Sequence, residues 1–166
     1  MIKAILAVDQ VGGIGLNGTL PWPHNKEDMK WFQDNTSGHI VLMGRRTWDD
    51  PKMPKPLPNR INLVATSRPI NMAGVMTLRS DIQRRLSSIQ QEFPNKDIFI
   101  IGGKRLLESC IEFVDQLYLT QHKGSFKCDT FVDLRGLLQN FKIATVVPGE
   151  TCTFSIYDNA TISKST

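Results

Sequence analysis

Short apolar runs alternate with stretches of helical periodicity along most of this chain. Ile2–Val8 is almost continuously apolar, the pattern of a strand covered on both faces. His39–Met43, Ile61–Ala65 and Asp97–Ile101 repeat it, the last being the most apolar, and Val75–Leu78 and Gln116–Gln121 add further strands. Asn25–Asn35 reads as a helix. Pro21 and Pro23 hold its approach extended, Asn25 offers a capping oxygen, and Glu27 and Asp28 fall in the first turn. Ser80 caps a second helix, in which Ile82, Leu86, Ile89 and Phe93 recur at helical spacing before Pro94. A third runs from Lys104 through Leu106, Leu107 and Ile111, and Phe131–Val132, Lys142–Val147 and Thr153–Tyr157 read as strands closing the sheet. The order predicts an α/β fold: a mostly parallel central sheet with an antiparallel C-terminal edge strand and helices on both faces.

Two strand ends share a chemistry. Gly44-Arg45-Arg46-Thr47 and Gly102-Gly103-Lys104-Arg105 each follow an apolar strand with glycine and open a helix with basic residues. Free N–H groups and guanidinium groups there suit an anion such as phosphate, although Arg45 and Arg46 alone also read as solvated arginines. Thr66-Ser67-Arg68 is a comparable cluster, and ligands of open α/β sheets bind at this end of the strands. Gly12, Gly13, Gly15 and Gly18 surround Ile14 in what reads as a mobile loop, and Pro51, Pro54, Pro56 and Pro58 stiffen a loop that presents Arg60.

Asp28 shares a helix face with Phe32, with Met29 beside them. A carboxylate on an apolar face needs a cationic or hydrogen-bond-donating partner, whereas a plain first-turn acid faces water, and the helix by itself allows both.

Length and charge narrow the class. The 166 residues suit one domain spanning 1–166, and a net charge of +4 with interspersed signs points to small anionic ligands and no nucleic-acid stripe. Cys110, Cys128 and Cys152 form no Cys-x-x-Cys pair, and His24, His39 and His122 do not sit at ligand spacing, so no metal site is expected. No signal-peptide pattern and no membrane-length apolar run is present, so the expectation is a cytoplasmic monomer away from membranes.

Taken together, Gly13-Ile14-Gly15, Leu20-Pro21-Trp22, then Asp28, Phe32 and Thr36, followed by Met43–Trp48, Pro56–Arg60, Ile101-Gly102-Gly103 and Leu117–Thr120, resemble the dihydrofolate reductase family in order and spacing. The resemblance implies hydride transfer from NADPH to C6 of 7,8-dihydrofolate, with protonation of N5. It implies that Asp28 accepts paired hydrogen bonds from the pterin, with Thr120 hydrogen-bonded to both. Trp22 and Leu20 would govern the water that carries the proton. Ile5, Leu6, Phe32, Leu57 and Ile101 would line the pterin and aminobenzoyl pocket, and Arg60 would pair with the glutamate tail. Toward the cofactor, Ala7, Ile14 and Gly15 would meet the nicotinamide. Gly44, Arg45, Arg46 and Thr47, with Gly102, Gly103, Lys104, Arg105 and Leu106, would surround the phosphates. Thr66, Ser67, Arg68 and Arg79 would surround the adenosine, with no acid among the basic residues that read the 2′-phosphate. The Gly102–Gly103 peptide is cis in the family.

Departures exist. Leu107 stands where many members carry tyrosine beside the nicotinamide, Asn59 replaces a usual glycine, and Asp49–Lys55 matches poorly. The rivals are a riboflavin-pathway pyrimidine reductase of the same fold and a non-catalytic nucleotide-binding module. The first would not need Asp28 together with Arg60, and the second could lose Asp28 or Trp22 freely.

Overall fold

The computed structural model describes residues 1–162. In chain order its elements are β1 (Ile2–Val8), β2 (Gly13–Gly15), α1 (Lys26–Thr36), β3 (Ile40–Gly44), α2 (Arg45–Trp48), β4 (Ile61–Ala65), β5 (Val75–Leu78) and α3 (Ile82–Glu92). They continue with β6 (Ile98–Gly102), α4 (Lys104–Cys110), a 3₁₀ turn at Ile111–Phe113, β7 (Gln116–His122), β8 (Thr130–Phe131), α5 (Leu134–Leu137), β9 (Phe141–Pro148) and β10 (Cys152–Asn159). Eight strands form one sheet in the order β5-β4-β3-β6-β1-β7-β10-β9. The six from β5 to β7 are parallel, and β10 and β9 extend them as an antiparallel hairpin. This is the expected α/β architecture, its antiparallel edge built from two strands.

Strand alternation sorts the side chains into two layers. Ile2, Ala4 and Val8 of β1, Ile40 and Leu42 of β3, and Ile98 and Ile100 of β6 pack with Leu86 and Ile89 of α3 and Leu107 of α4. Ile5, Val41, Met43, Phe99 and Tyr118 point the other way and pack with Trp31 and Phe32 of α1. Helices therefore cover both faces. Burial on both sides explains why the central strands read as continuous apolar runs.

Three local expectations need correction. The strand expected at Phe131–Val132 forms one residue earlier, at Thr130–Phe131, and does not close the main sheet; it pairs with Gly13–Gly15 in a separate two-stranded ladder. The glycine loop is thereby tied down at its centre, where the Asp9 carboxylate also accepts from the N–H groups of Val11, Gly13 and Phe126. Burial pushes the Asp9 carboxyl up, but these backbone donors outweigh it and hold it below the usual carboxylate range. Ser80 does not cap α3. Asp81 takes the cap position with φ of 51° and makes no side-chain cap bond, a left-handed backbone that a short polar residue tolerates. At α1, by contrast, Asn25 accepts from the Asp28 N–H at 3.0 Å, as its sequence position implies.

The proline-rich loop is held from beneath by Asn62 of β4. Its fully buried amide accepts from the Leu57 N–H at 2.9 Å and donates to the carbonyls of Leu57 and Arg60. Asn59 sits beside it at φ of 60°, a conformation that asparagine adopts more readily than most residues. Asn62→Ala strands these buried groups, so it should lower unfolding free energy by about 1 to 3 kcal/mol in urea titrations with an unchanged m-value. A loss near zero would show that the loop is set by its prolines alone.

Candidate active site

Parallel strand order decides which chain ends meet. The C-terminal ends of β5, β4, β3, β6 and β1 lie side by side, so Arg79, the Thr66-Ser67-Arg68 turn, the Gly44–Thr47 junction, the Gly102–Leu106 junction and Ala7 share one rim. The two glycine junctions abut directly: a Cβ on Gly44 would lie 3.6 Å from the Gly103 nitrogen, and one on Gly102 or Gly103 would meet the Thr47 hydroxyl at 3.7 or 3.8 Å. Three glycines and the Thr47 hydroxyl therefore meet where the two helix starts converge. The Gly102–Gly103 peptide is cis.

The guanidinium groups at this rim are not free of acids. Arg45 Nε donates to both carboxylate oxygens of Asp49, at 3.1 and 3.2 Å, and Arg68 Nη2 lies 3.8 Å from Asp49 Oδ2. The sequence expectation of no acid among them is corrected, because a single turn of α2 brings position 49 back beside position 45. Arg45 Nη1, however, is buried without a hydrogen-bond partner among the described residues. A buried, unpaired guanidinium N–H on the first residue of α2 is a donor that a bound anion would satisfy.

Substrate candidates collect on the α1 side of the sheet. Ile5, Phe32, Leu57 and Ile101 belong to one apolar cluster, with Met53 of the poorly matching loop packed against it. Leu6 does not join them. Alternation along β1 turns its side chain toward the opposite layer, where Ile14 and Leu106 also pack. Leu107 is 1% exposed inside that same layer, so it faces the core of the sheet.

Arg60 closes one end of this cluster. Its Nη1 donates to the Thr36 hydroxyl at 3.0 Å, its Nε donates to the Pro58 carbonyl at 2.9 Å, and its guanidinium lies 5.7 Å from the Phe32 ring centre. Partial burial lowers its pKa, though arginine stays charged. Asp28 marks the other end. From Asp28 to Thr36 the helix rises about 12 Å, so a guanidinium and a carboxylate stand at opposite ends of one apolar wall.

Asp28 has a partner that sequence reasoning missed. Its Oδ2 lies 3.3 Å from His122 Nε2, and the imidazole is 3% exposed. Among the described residues, Thr120 is not the hydrogen-bond partner of Asp28; it lies on the same face of β7, nearer the strand's middle, and faces Phe154 of β10 in the ladder. The signal was available in the alternation of Tyr118, Thr120 and His122, which places all three on the α1 face. Trp22 stacks on His122 with ring centres 4.0 Å apart, and its Nε1 is buried with no protein partner among the described residues. Leu20, at 49% exposure, lies out on the rim.

Glu27 was also missed as more than a first-turn acid. Its carboxylate accepts from the Thr151 hydroxyl and from the N–H groups of Glu150, Thr151 and Cys152, fastening α1 to the β9–β10 turn. The Thr151 hydroxyl, then the Thr151 and Glu150 N–H groups, pull its pKa down to about 2. Any side chain on Gly149 would collide with this carboxylate.

The family model for dihydrofolate reductase matches residues 1–149. Dihydrofolate reductase type 9 of Escherichia coli is 35% identical over 152 residues, covering 89% of this chain and 84% of that protein. A dihydrofolate reductase of Staphylococcus aureus is 35% identical over 150 residues, covering 90% and 87%. Among solved structures, a dihydrofolate reductase from Enterococcus faecalis complexed with NADP(H) and RAB-propyl superposes with a TM-score of 0.79 at 29% identity, over 95% of each chain.

The Glu27 clamp has a pH signature. Its carboxyl falls from an ordinary value of 4.5 to about 2 on folding, so its contribution to stability is complete above pH 4.5 and disappears as pH falls through 2. Glu27→Gln should therefore unfold more easily than wild type at neutral pH, and the two denaturation curves should converge toward pH 2. A gap that is the same at both pH values would mean that the clamp does not act through the carboxylate's charge.

Proposed function

The chain belongs to the dihydrofolate reductase family, and from that premise we propose how its residues divide the work. The reaction is the NADPH-dependent reduction of 7,8-dihydrofolate to 5,6,7,8-tetrahydrofolate. NADPH supplies the hydride; the protein supplies alignment, electrostatics and a path for the proton.

The observation that carries this reading is the pairing of Asp28 and Arg60 across one apolar wall. A carboxylate matches the two donors on a pterin's amino-pyrimidine edge, and a forked guanidinium matches a carboxylate tail. Ile5, Phe32, Leu57 and Ile101 fill the space between them with apolar contact. Asp28 holds the pterin in one orientation and stabilises its protonated form, with Thr120 close by on the same strand face. The unpaired Trp22 Nε1 orients the water that delivers the proton to N5, and Leu20 limits its access. Toward the cofactor, Ala7, Ile14 and Gly15 meet the nicotinamide. Gly44, Arg46, Thr47, Gly102 and Gly103, with Lys104, Arg105 and Leu106, hold the phosphates. Thr66 and Arg79 flank the adenosine. Arg45, Ser67 and Arg68 read the 2′-phosphate, with Asp49 keeping the first guanidinium in register. We read the protein as a cytoplasmic monomer with no nucleic-acid partner; Cys110, Cys128 and Cys152 are all free thiols, which suits a reducing compartment.

Loss of NADPH absorbance with dihydrofolate as sole acceptor tests the activity, and no oxidation by folded protein would overturn it. Asp28→Asn should fold yet lose about thirtyfold to a thousandfold in turnover, as expected for about 2 to 4 kcal/mol lost at the reacting centre. An unchanged rate at neutral pH would remove Asp28 from its role.

Cofactor choice tests the other end of the site. Arg45→Ala combined with Arg68→Ala should cut the preference for NADPH over NADH by about a hundredfold or more, the scale of two charge-assisted contacts. The comparison is kcat/KM for the two cofactors at two ionic strengths, since exposed charges are screened by salt. A double variant that keeps its preference would place the 2′-phosphate reader elsewhere.

A further inference from the structure

We propose that His122 is a positioning residue of the reductase, carrying its hydrogen on Nε2 and donating it to Asp28 while Nδ1 accepts from the Cys152 thiol. The proposal deepens the reading of Asp28 given above and rests on it. Three observations made on different elements converge on this ring.

The first is its position. Antiparallel pairing of β7 with β10 sets Cys152 directly opposite His122, and the two side chains meet at 3.5 Å between Sγ and Nδ1. On the ring's other side Nε2 reaches Asp28 Oδ2 at 3.3 Å. The chain Cys152–His122–Asp28 thus runs from β10 through β7 to the first turn of α1.

The second is chemical necessity. An ionised carboxylate only accepts hydrogen bonds, so a bond between Asp28 and Nε2 requires the hydrogen on Nε2. In the proposed tautomer, with Nδ1 bare, the ring presents a lone pair there, and the Cys152 thiol can fill it. Cys152 is 0% exposed, and burial pushes its thiol up, so it remains a protonated donor and not a nucleophile. The tautomer is chosen by the second bond the ring makes.

The third is confinement. Trp22 stacks on one side of the imidazole at 4.0 Å, and Phe126 meets it edge-on at 6.1 Å. Glu27 pins the Thr151–Cys152 backbone that carries the thiol, so the ring is held by groups that are themselves held. A bond to one lone pair of Oδ2 fixes the orientation of the whole carboxylate, so that both oxygens face the pterin's paired donors in a single geometry, and it couples that geometry to the packing of Trp22.

The test has two arms. In the wild-type protein labelled with ¹⁵N-histidine, the His122 signals, identified by their loss in His122→Phe, should show a protonated Nε2 and an unprotonated Nδ1, a pattern that Cys152→Ser keeps. A protonated Nδ1, with or without a hydrogen on Nε2, would overturn the proposal whatever the kinetics show. In kinetics, His122→Phe retains a ring against Trp22 but has no donor. Its kcat/KM for dihydrofolate should fall about tenfold while the KM for NADPH stays within about twofold, and His122→Gln, whose amide nitrogen can take the place of Nε2, should recover to within about threefold of wild type. Equal losses in the Phe and Gln variants, or equal losses for both substrates, would assign His122 to packing only. Failure of the wild type to oxidise NADPH with dihydrofolate would count against the reductase reading itself, whereas an active wild type with an indifferent His122→Phe would sink only this proposal.

Discussion

Docking of the first turn of α1 onto the ends of β7 and β10 is the contact on which the substrate side depends. Two adjacent carboxylates make it in different ways. Glu27 fastens the helix to the β9–β10 turn through one hydroxyl and three backbone N–H groups, while Asp28 meets the imidazole of His122. Asn25 caps the helix and also donates to the Thr151 hydroxyl, so the cap and the clamp share a partner. A helix terminus ordinarily frays, and here three consecutive polar interactions stop it from doing so. The Asp28 carboxylate is therefore carried on a turn held on three of its side chains, the placement that the role proposed for it would require.

The sheet performs the equivalent task for the cofactor side without such a network. Because β4, β3, β6 and β1 are parallel neighbours, segments far apart in sequence end at one rim, and glycine at the β3 and β6 junctions lets the two helix starts approach closely there. The opposite wall carries one carboxylate and one guanidinium, those of Asp28 and Arg60, near the two ends of α1.

Much of this was legible in the sequence because it is carried by periodicity. Ile2–Val8, Ile61–Ala65 and Val75–Leu78 have the expected bounds, since strands buried on both faces advertise themselves as apolar runs. Capping by Asn25 and the tolerance of Asn59 for a left-handed backbone were equally local facts. The misses share a different origin. His122, Asp49 and Cys152 matter through partners distant in sequence or one helical turn away, and isolated His, Asp and Cys residues carry no spacing signal. His122 was passed over because it lacked metal-ligand spacing, although strand alternation already placed it on the face of Thr120. Thr130–Phe131 misled for a related reason: a two-residue strand states that it pairs, but not with what.

The two ends of the site also differ in how their electrostatics must respond to solvent. His122 is almost fully buried, and the side chain of Asp28 is 15% exposed, so their interaction lies where salt penetrates little. Arg68 and Asp49 are 67% and 49% exposed, so the charges at the other end sit in a screened environment and contribute less per contact. Arg45 spans the two regimes, with Nε on the half-exposed Asp49 and Nη1 buried and unpaired. Its buried N–H has no solvent to fall back on, so the fold has already imposed on this guanidinium a desolvation that the more exposed Arg68 does not bear, and an anion at the rim would satisfy a donor that the free protein leaves costly.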